Sequence, residues 1–203
     1  MSKNFKLGHT LPVVFAGLAI IAPANAAIFV KIPSIPGEVK GPDNEPGWFQ
    51  ADTFSFGVER DMKESGEKGG TEDINIGIGE LQECTISKSA DKTSPKILEA
   101  AVSGRTVGDC EIAFCDEPAS GEPVCYLHYV MERCYVKSTK SWSTSGDADD
   151  RPTEEVAFYF NKIAFGYSED GVEAETSMGW DQERDRYWME GENWLFDFEP
   201  SPR

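Results

Sequence analysis

Ser87-Lys88-Ser89-Ala90-Asp91-Lys92-Thr93-Ser94-Pro95-Lys96-Ile97-Leu98-Glu99-Ala100-Ala101-Val102-Ser103-Gly104 is the stretch that orders the rest of the chain. Its first residue closes an alternating run in which Leu81, Glu83, Thr85 and Ser87 oppose Gln82, Cys84 and Ile86. That period of two predicts a half-buried strand starting at Ile74 or Leu81. A polar turn follows. Ser94 then stands as a natural N-cap, Pro95 takes the first helical position without losing a needed donor, and Gly104 supplies the stop. Ile97, Leu98 and Ala101 give the helix a short apolar face. A helix of about nine or ten residues is too short to stand alone in water, so packing on a sheet must hold it.

On either side the texture is that of an antiparallel β protein, with short apolar and aromatic runs between Gly, Pro and charged clusters. Residues 28–32 read as a first strand and end in the turn-rich corner Pro33-Ser34-Ile35-Pro36-Gly37-Glu38. After the Gly/Pro/Asn segment 41–47 a second strand is predicted over 48–59, with Phe54, Phe56 and Val58 on one face. Residues 61–73 are charged and Gly-rich, have no apolar period and read as a long exposed loop. Beyond the helix, 107–115 and 124–137 form a hairpin. Cys110, Ile112 and Phe114 share a face of its first strand, and Cys125, Leu127, Tyr129 and Met131 share a face of its second. The polar loop 138–152 leads to a final strand, 155–167. There Val156, Phe158 and Phe160 alternate before Ile163 and Phe165 continue on the other parity, the mark of a bulge near Asn161. No internal repeat is visible.

The N-terminal segment 1–26 has a different character. Lys3 and Lys6 precede an apolar run over 11–22, which closes on Ala24-Asn25-Ala26. This is the positive flank, short hydrophobic core and small-residue exit site of a cleavable secretory signal, with Ala24 and Ala26 before the cut and Ala27 after it. The run is too short to span a bilayer comfortably, so no stable membrane span is expected after processing. The product is expected to be secreted or periplasmic. Three segments follow from this reading: a signal peptide over 1–26, one barrel domain over 27–167 and an acidic, aromatic tail over 168–203.

The chain carries a formal net charge of −17, and removing the two leader lysines makes it −19. Nucleic acid is an unsuitable partner, because phosphate binding needs a basic stripe that this sequence does not supply. Solubility and repulsion between copies account for the acid excess.

All five cysteines, Cys84, Cys110, Cys115, Cys125 and Cys134, follow the leader, and export into an oxidising compartment predicts at least one intrachain disulfide among them. The pairing is open. Cys110 and Cys125 read as sharing the inward face of adjacent strands, and a Cys115–Cys125 bridge needs a bulge to rotate one side chain. The spacings match no structural zinc site, and His128 is the only histidine after the leader, so no metal is expected. No cofactor is expected either, since a phosphate-cradling Gly loop is missing. Nor does the sequence present G-x-S-x-G or H-E-x-x-H, and no catalytic residue is assigned. Cys125 and His128, three apart on a strand, should point to opposite faces, which argues against a thiol and base pair. Asp147, Asp149 and Asp150 lack the spaced ligand series of an EF-hand and read as a solvated loop. In the tail, Trp180, Trp188 and Trp194, with Tyr187, Phe196 and Phe198, are too dense to be left all exposed. They are expected to dock on the barrel, a neighbouring subunit or a partner.

Taken together, the segments over 27–167 resemble the Hcp family, the haemolysin-coregulated proteins that form the tube of the type VI secretion system. The most specific piece is the strand, turn and helix of Ser87 to Gly104, which resembles the family's "vDkaSP" turn. In support stand Ile32 to Glu38, Trp48 with Phe54-Ser55-Phe56-Gly57-Val58, the long strand over 126–136 and the closing strand that begins at Glu154. The resemblance implies a small antiparallel β-barrel with one short flanking α-helix and copies joined into six-membered rings. It further implies stacking of the rings into a hollow tube whose lumen holds small effectors, and a loop over 61–73 that contacts a neighbouring ring. Its tube subunits load from the cytoplasm. The expected function is thus that of an exported structural ring protein, whose partners are further copies, secretion-system components or effector cargo. The leader and the long tail depart from the family's pattern, and an exported Hcp-like binding module outside any tube is the alternative.

Overall fold

The computed structural model describes residues 25–64, 74–117, 123–143, 151–172 and 174–188. In chain order the strands are β1 (Asn25–Lys31), β2 (Val39–Lys40), β3 (Pro46–Ala51), β4 (Thr53–Ser55), β5 (Val58–Glu64), β6 (Ile74–Leu81) and β7 (Cys84–Ser89). The helix α1 (Ser94–Ser103) comes next. It is followed by β8 (Thr106–Glu117), β9 (Val124–Trp142), β10 (Thr153–Tyr159), β11 (Lys162–Tyr167), β12 (Thr176–Asp181) and β13 (Arg186–Tyr187).

The barrel closes by an unbroken circuit of antiparallel pairs. β1 lies between β8, with Val30 opposite Ile112, and β3, with Val30 opposite Phe49. At Asp52, whose N–H donates to the Ser87 carbonyl at 2.7 Å, the chain passes from β3 into β4 and pairs with β7. β7 then pairs with β10, β10 with the C-terminal half of β9, and β9 with β8. Closure leaves no open edge on this circuit, which is how a small sheet avoids adding strands from other chains. The N-terminal half of β9 takes a different neighbour, β11, from which β12 and β13 extend the sheet outward. β5 and β6 form a separate hairpin.

Both faces of β1 are buried, which fits its unbroken run Ile28-Phe29-Val30. Ile28, Val30 and Ile32 enter the main core with Phe49, Ile86, Ile112, Met131 and Phe158. One end of that core is aromatic: Phe54 meets Phe114 edge-on at 5.1 Å, and Tyr129 stacks on Phe165 at 5.1 Å. Ala27 and Phe29 join Trp48, Ala113, Cys115 and Cys125 in a second cluster. Two glycines let the 33–45 corner approach that cluster closely. A Cβ on Gly37 would stand 2.0 Å from the Trp48 carbonyl oxygen, and one on Gly41 would stand 2.4 Å from the Trp48 ring.

The Ser87 to Gly104 stretch folds into strand, turn and helix, but the turn works differently from the expectation. Thr93, not Ser94, is the N-cap, and its side chain does not cap the helix. Asp91 organises the turn instead, accepting from the Thr93 N–H at 2.8 Å and the Thr93 hydroxyl at 2.5 Å. Ser94 Oγ accepts from the Asp91 N–H at 3.0 Å and donates to Glu154 Oε2 at 2.6 Å. Beneath the turn Lys88 is fully buried. Its Nζ lies 2.9 Å from Asp91 Oδ1 and 3.3 Å from Glu154 Oε2, and donates to the Ser89 carbonyl at 2.9 Å. Gly104 ends α1 in the left-handed region at φ 64°. The buried face is Ile97, Ala100 and Ala101, spaced i, i+3, i+4, and Leu98 turns outward.

Three other expectations are revised. The predicted strand 48–59 is divided into β3, β4 and the start of β5. The predicted loop 61–73 begins inside β5, since Asp61 to Glu64 still pair toward β6, and only 65–73 fall outside the described residues. The single strand 155–167 is β10 and β11, separated at Phe160 and Asn161 because each pairs with a different half of β9. Asn161 holds that junction, its N–H donating to the Glu132 carbonyl at 3.0 Å and its carbonyl accepting from Gln182 N–H at 3.0 Å.

Candidate functional site: barrel surface, cysteines and aromatic tail

The residues singled out from the sequence fall in three places. At the first, Ala26 and Ala27 lie in β1, opposite Asp116 and Cys115, with Ala27 buried; Ala24 lies outside the described residues.

The second place is the β8–β9 ladder. Phe114 is opposite Leu127 but Cys115 is opposite Cys125, so Tyr126 is the extra residue of a bulge. This turns the Cys125 side chain out of the main core and onto the face of Cys115, where the two sulfurs stand 2.02 Å apart, at bonding distance. The expected sharing of an inward face by Cys110 and Cys125 is therefore corrected. The same bulge puts Cys125 and His128, expected on opposite faces, on one face, since their partners Cys115 and Ala113 are two apart on β8. With its sulfur against Cys115, Cys125 is no nucleophile for His128 to activate. His128 Nε2 instead faces Glu111 Oε2 at 3.6 Å. Burial pushes the Glu111 carboxyl up, but the neighbouring His128 imidazole, together with the charge of Lys31, brings it below the usual carboxylate range.

Cys84, Cys110 and Cys134 are buried together in the main core. Burial pushes the Cys84 and Cys110 thiols far up, reinforced by Cys134, so both are held as unreactive thiols. Cys134 Sγ donates to the Met131 carbonyl at 3.5 Å. Among the described residues no group of three or more His, Cys, Asp or Glu is placed to hold a metal ion, and no helix is long and apolar enough to cross a membrane. Asp147, Asp149 and Asp150 lie outside the described residues.

The third place is the start of the tail. Trp180, in β12 opposite Ile163, packs against the main core and meets Tyr187 edge-on at 5.3 Å. Trp188 packs near Ala164 and Val130, with Lys162 Nζ 4.6 Å from its ring centre, and its N–H donates to the Gly179 carbonyl at 3.0 Å. Trp194 lies outside the described residues. Between the β5–β6 hairpin and β12–β13 runs an open groove of about 440 Å³. Val58 and Leu81 form one wall, Met178, Trp180 and Tyr187 the other, and Arg60 and Asp185 are its charged groups. The β5–β6 hairpin that walls this groove includes Asp61 to Glu64, part of the expected loop 61–73. The alternation of Ile74, Ile76 and Ile78 was the available sign of a second hairpin strand.

A comparison with curated proteins finds no match. Solved structures resemble the fold. A protein described as a type six secretion system protein is 20% identical with a TM-score of 0.66, over 81% of this chain and 100% of that one. Hcp1 from Salmonella typhimurium is 18% identical with a TM-score of 0.61, again over 81% of this chain and 100% of its own. A type VI secretion system effector from Yersinia pestis is 19% identical with a TM-score of 0.55, over 76% of this chain and 98% of its own. In sequence, residues 29–167 match the family described as "Type VI secretion system effector, Hcp". That match spans more than half of the 203 residues, and the chain belongs to the Hcp family.

Proposed function

We propose that this chain is an exported structural protein that assembles into six-membered rings, related to or part of a type VI secretion tube, with effector cargo in its lumen. The observation that carries this reading is the family match over 29–167, which coincides with the closed barrel. In it, cleavage between Ala26 and Ala27 releases a barrel domain over 27–167 and an accessory tail over 168–203, and the work is done by assembly, with no catalytic group. The net charge of −19 on the processed chain opposes close approach of copies, so ring formation strengthens as salt screens the repulsion. Native mass measurement and sedimentation of the processed protein at low and moderate salt test this directly. A hexamer favoured by salt supports the reading, and a strict monomer at every salt concentration defeats it.

Two observations favour a second reading, an exported Hcp-type barrel that works outside a tube as a binding module. One is the leader-like composition of 1–26; the other is the Cys115 and Cys125 sulfurs at bonding distance, an arrangement suited to folding in an oxidising compartment. A processed, monomeric, disulfide-bonded product would establish it.

A further inference from the structure

The groove between the β5–β6 hairpin and β12–β13 presents large apolar side chains to solvent: Val58 is 60% exposed and Tyr187 78%. Its volume of about 440 Å³ falls in the lower part of the range that encloses specific ligands, roughly 300–1,000 Å³. Met178, Trp180 and Tyr187 give it an aromatic and apolar wall, and one cation, Arg60, and one anion, Asp185, complete its lining. Such a surface fits an aromatic peptide better than a polar small molecule, because stacking and burial supply most of the contact.

The sequence places such a peptide next to it. The described chain ends at Trp188, one residue after the groove-lining Tyr187. Residues 189–203 remain, and they contain Trp194, Phe196 and Phe198, which in extended conformation share one face, with Leu195 and Asp197 on the other. The segment is acidic, with Glu190, Glu192, Asp197 and Glu199 against a single Arg203. Trp188 packs on the face of β11 that carries Ala164, whereas the groove opens on the face that carries Met178 and Trp180. The chain must therefore round the β12–β13 edge to enter it. The six residues from Trp188 to Trp194 span about 20 Å when extended, ample for that turn.

We propose that this groove holds the chain's own segment 189–203, with Trp194, Phe196 and Phe198 seated against Met178, Trp180 and Tyr187 and the acidic residues facing Arg60. The tail then clasps the β5–β6 hairpin, which has no strand neighbour beyond its own partner among the described residues. The inference is independent of ring formation, since every group in it belongs to one chain.

The test is photo-crosslinking of the full processed protein carrying p-benzoylphenylalanine in place of Trp194. Equal parts of isotopically light and heavy protein are mixed before irradiation, and the crosslinks are mapped by mass spectrometry. Links to Val58, Leu81, Met178 or Tyr187 within chains of one isotope are expected. In the Tyr187→Ala, Arg60→Glu double variant, the yield should fall about tenfold, the loss typical of truncating a central aromatic contact. Both residues are exposed, and circular dichroism should show the fold unchanged. Links between light and heavy chains would overturn the proposal in favour of a second copy as occupant. Links elsewhere, no links, or a yield indifferent to the double variant would overturn it outright.

Discussion

Lys88 Nζ lies 2.9 Å from Asp91 Oδ1 beneath the first turn of α1, with Lys88 fully buried. The ammonium has exchanged water for Asp91, Glu154, the Ser89 carbonyl and the face of Phe49 at 5.7 Å. A buried charge held in this way is costly to break from either side, because the remaining partner keeps its desolvation without its counter-ion. Lys88→Met should therefore lose about 3–5 kcal/mol of folding stability in urea titration, the range for halving a buried pair. Burial raises the Asp91 carboxyl, but its hydrogen bonds from Thr93 and its contact with Lys88 bring it below its usual range. The stability it contributes is then fully present above the ordinary carboxylate value of about 4 and lost as pH falls through its folded value. Asp91→Asn should thus be clearly less stable than the parent at neutral pH and converge on it in acid. A stability difference that stays constant down to pH 2 would refute this origin.

The cysteines predict a definite chemical count. In protein purified without reductant and then denatured, Cys84, Cys110 and Cys134 should alkylate, and Cys115 and Cys125 should not. In the native protein even Cys84 and Cys110 should be inert, since burial holds them as thiols. With a sequence separation of 10, the Cys115–Cys125 link should add about 2–3 kcal/mol, read as the loss of stability in the Cys115→Ser, Cys125→Ser double variant. Five alkylatable thiols in that preparation would sink the bridge.

Much of this arrangement was legible because period-two patterns are strong wherever one face of a strand is buried. The Ser87 to Gly104 stretch, β1 and the β8–β9 hairpin were read in place for that reason. The parity change at Asn161 shows in the sequence, but the one in β9 does not. Tyr126 is the extra residue there: no local pattern marks it, yet it decides that Cys125 faces Cys115 and not Cys110. The β5–β6 hairpin was hidden by charge, since Glu59, Arg60, Asp61, Lys63 and Glu64 resemble a solvated loop when no sheet face is known. One member of the helix face differs from the sequence pattern, Ala100 in place of Leu98, because a small residue under a short helix gives little hydrophobic signal.

Gly37 tests the packing of the 33–45 corner on Trp48. Its N–H donates to the Gly47 carbonyl at 2.8 Å, and a Cβ there would overlap the Trp48 backbone. Backbone cannot yield as a flexible side chain can, so Gly37→Ala should cost about 2–3 kcal/mol in a chemical unfolding curve. Gly104→Ala meets no atom within 4 Å and is strained only by its φ of 64°, so it should cost about 1 kcal/mol. Equal losses in the two variants would mean that the close approach at Trp48 is relieved by movement of the corner.

Arg133 offers the opposite sign. It sits in β9 at φ 54°, opposite the irregular stretch of β8 around Gly108, whose own φ is 88°. The bend is fixed by the Arg133 N–H, which donates to Asp109 Oδ1 at 3.0 Å and does not depend on the side chain. Among the described residues the guanidinium pairs with an exposed carboxylate, Glu183 at 3.9 Å, a pair that contributes little in water. A side chain with a Cβ is disfavoured in the left-handed region by roughly 1–2 kcal/mol, and glycine is not, although its unfolded state is more flexible. Arg133→Gly should therefore gain a net of about 0.5–1 kcal/mol, a rise of about 1–4 °C in melting temperature for a chain of this size. Arg133→Ala keeps the strain and removes only the weak pair, so it should leave the melting temperature nearly unchanged. A fall in both variants would show that the arginine side chain, and not the backbone, is what this bend requires.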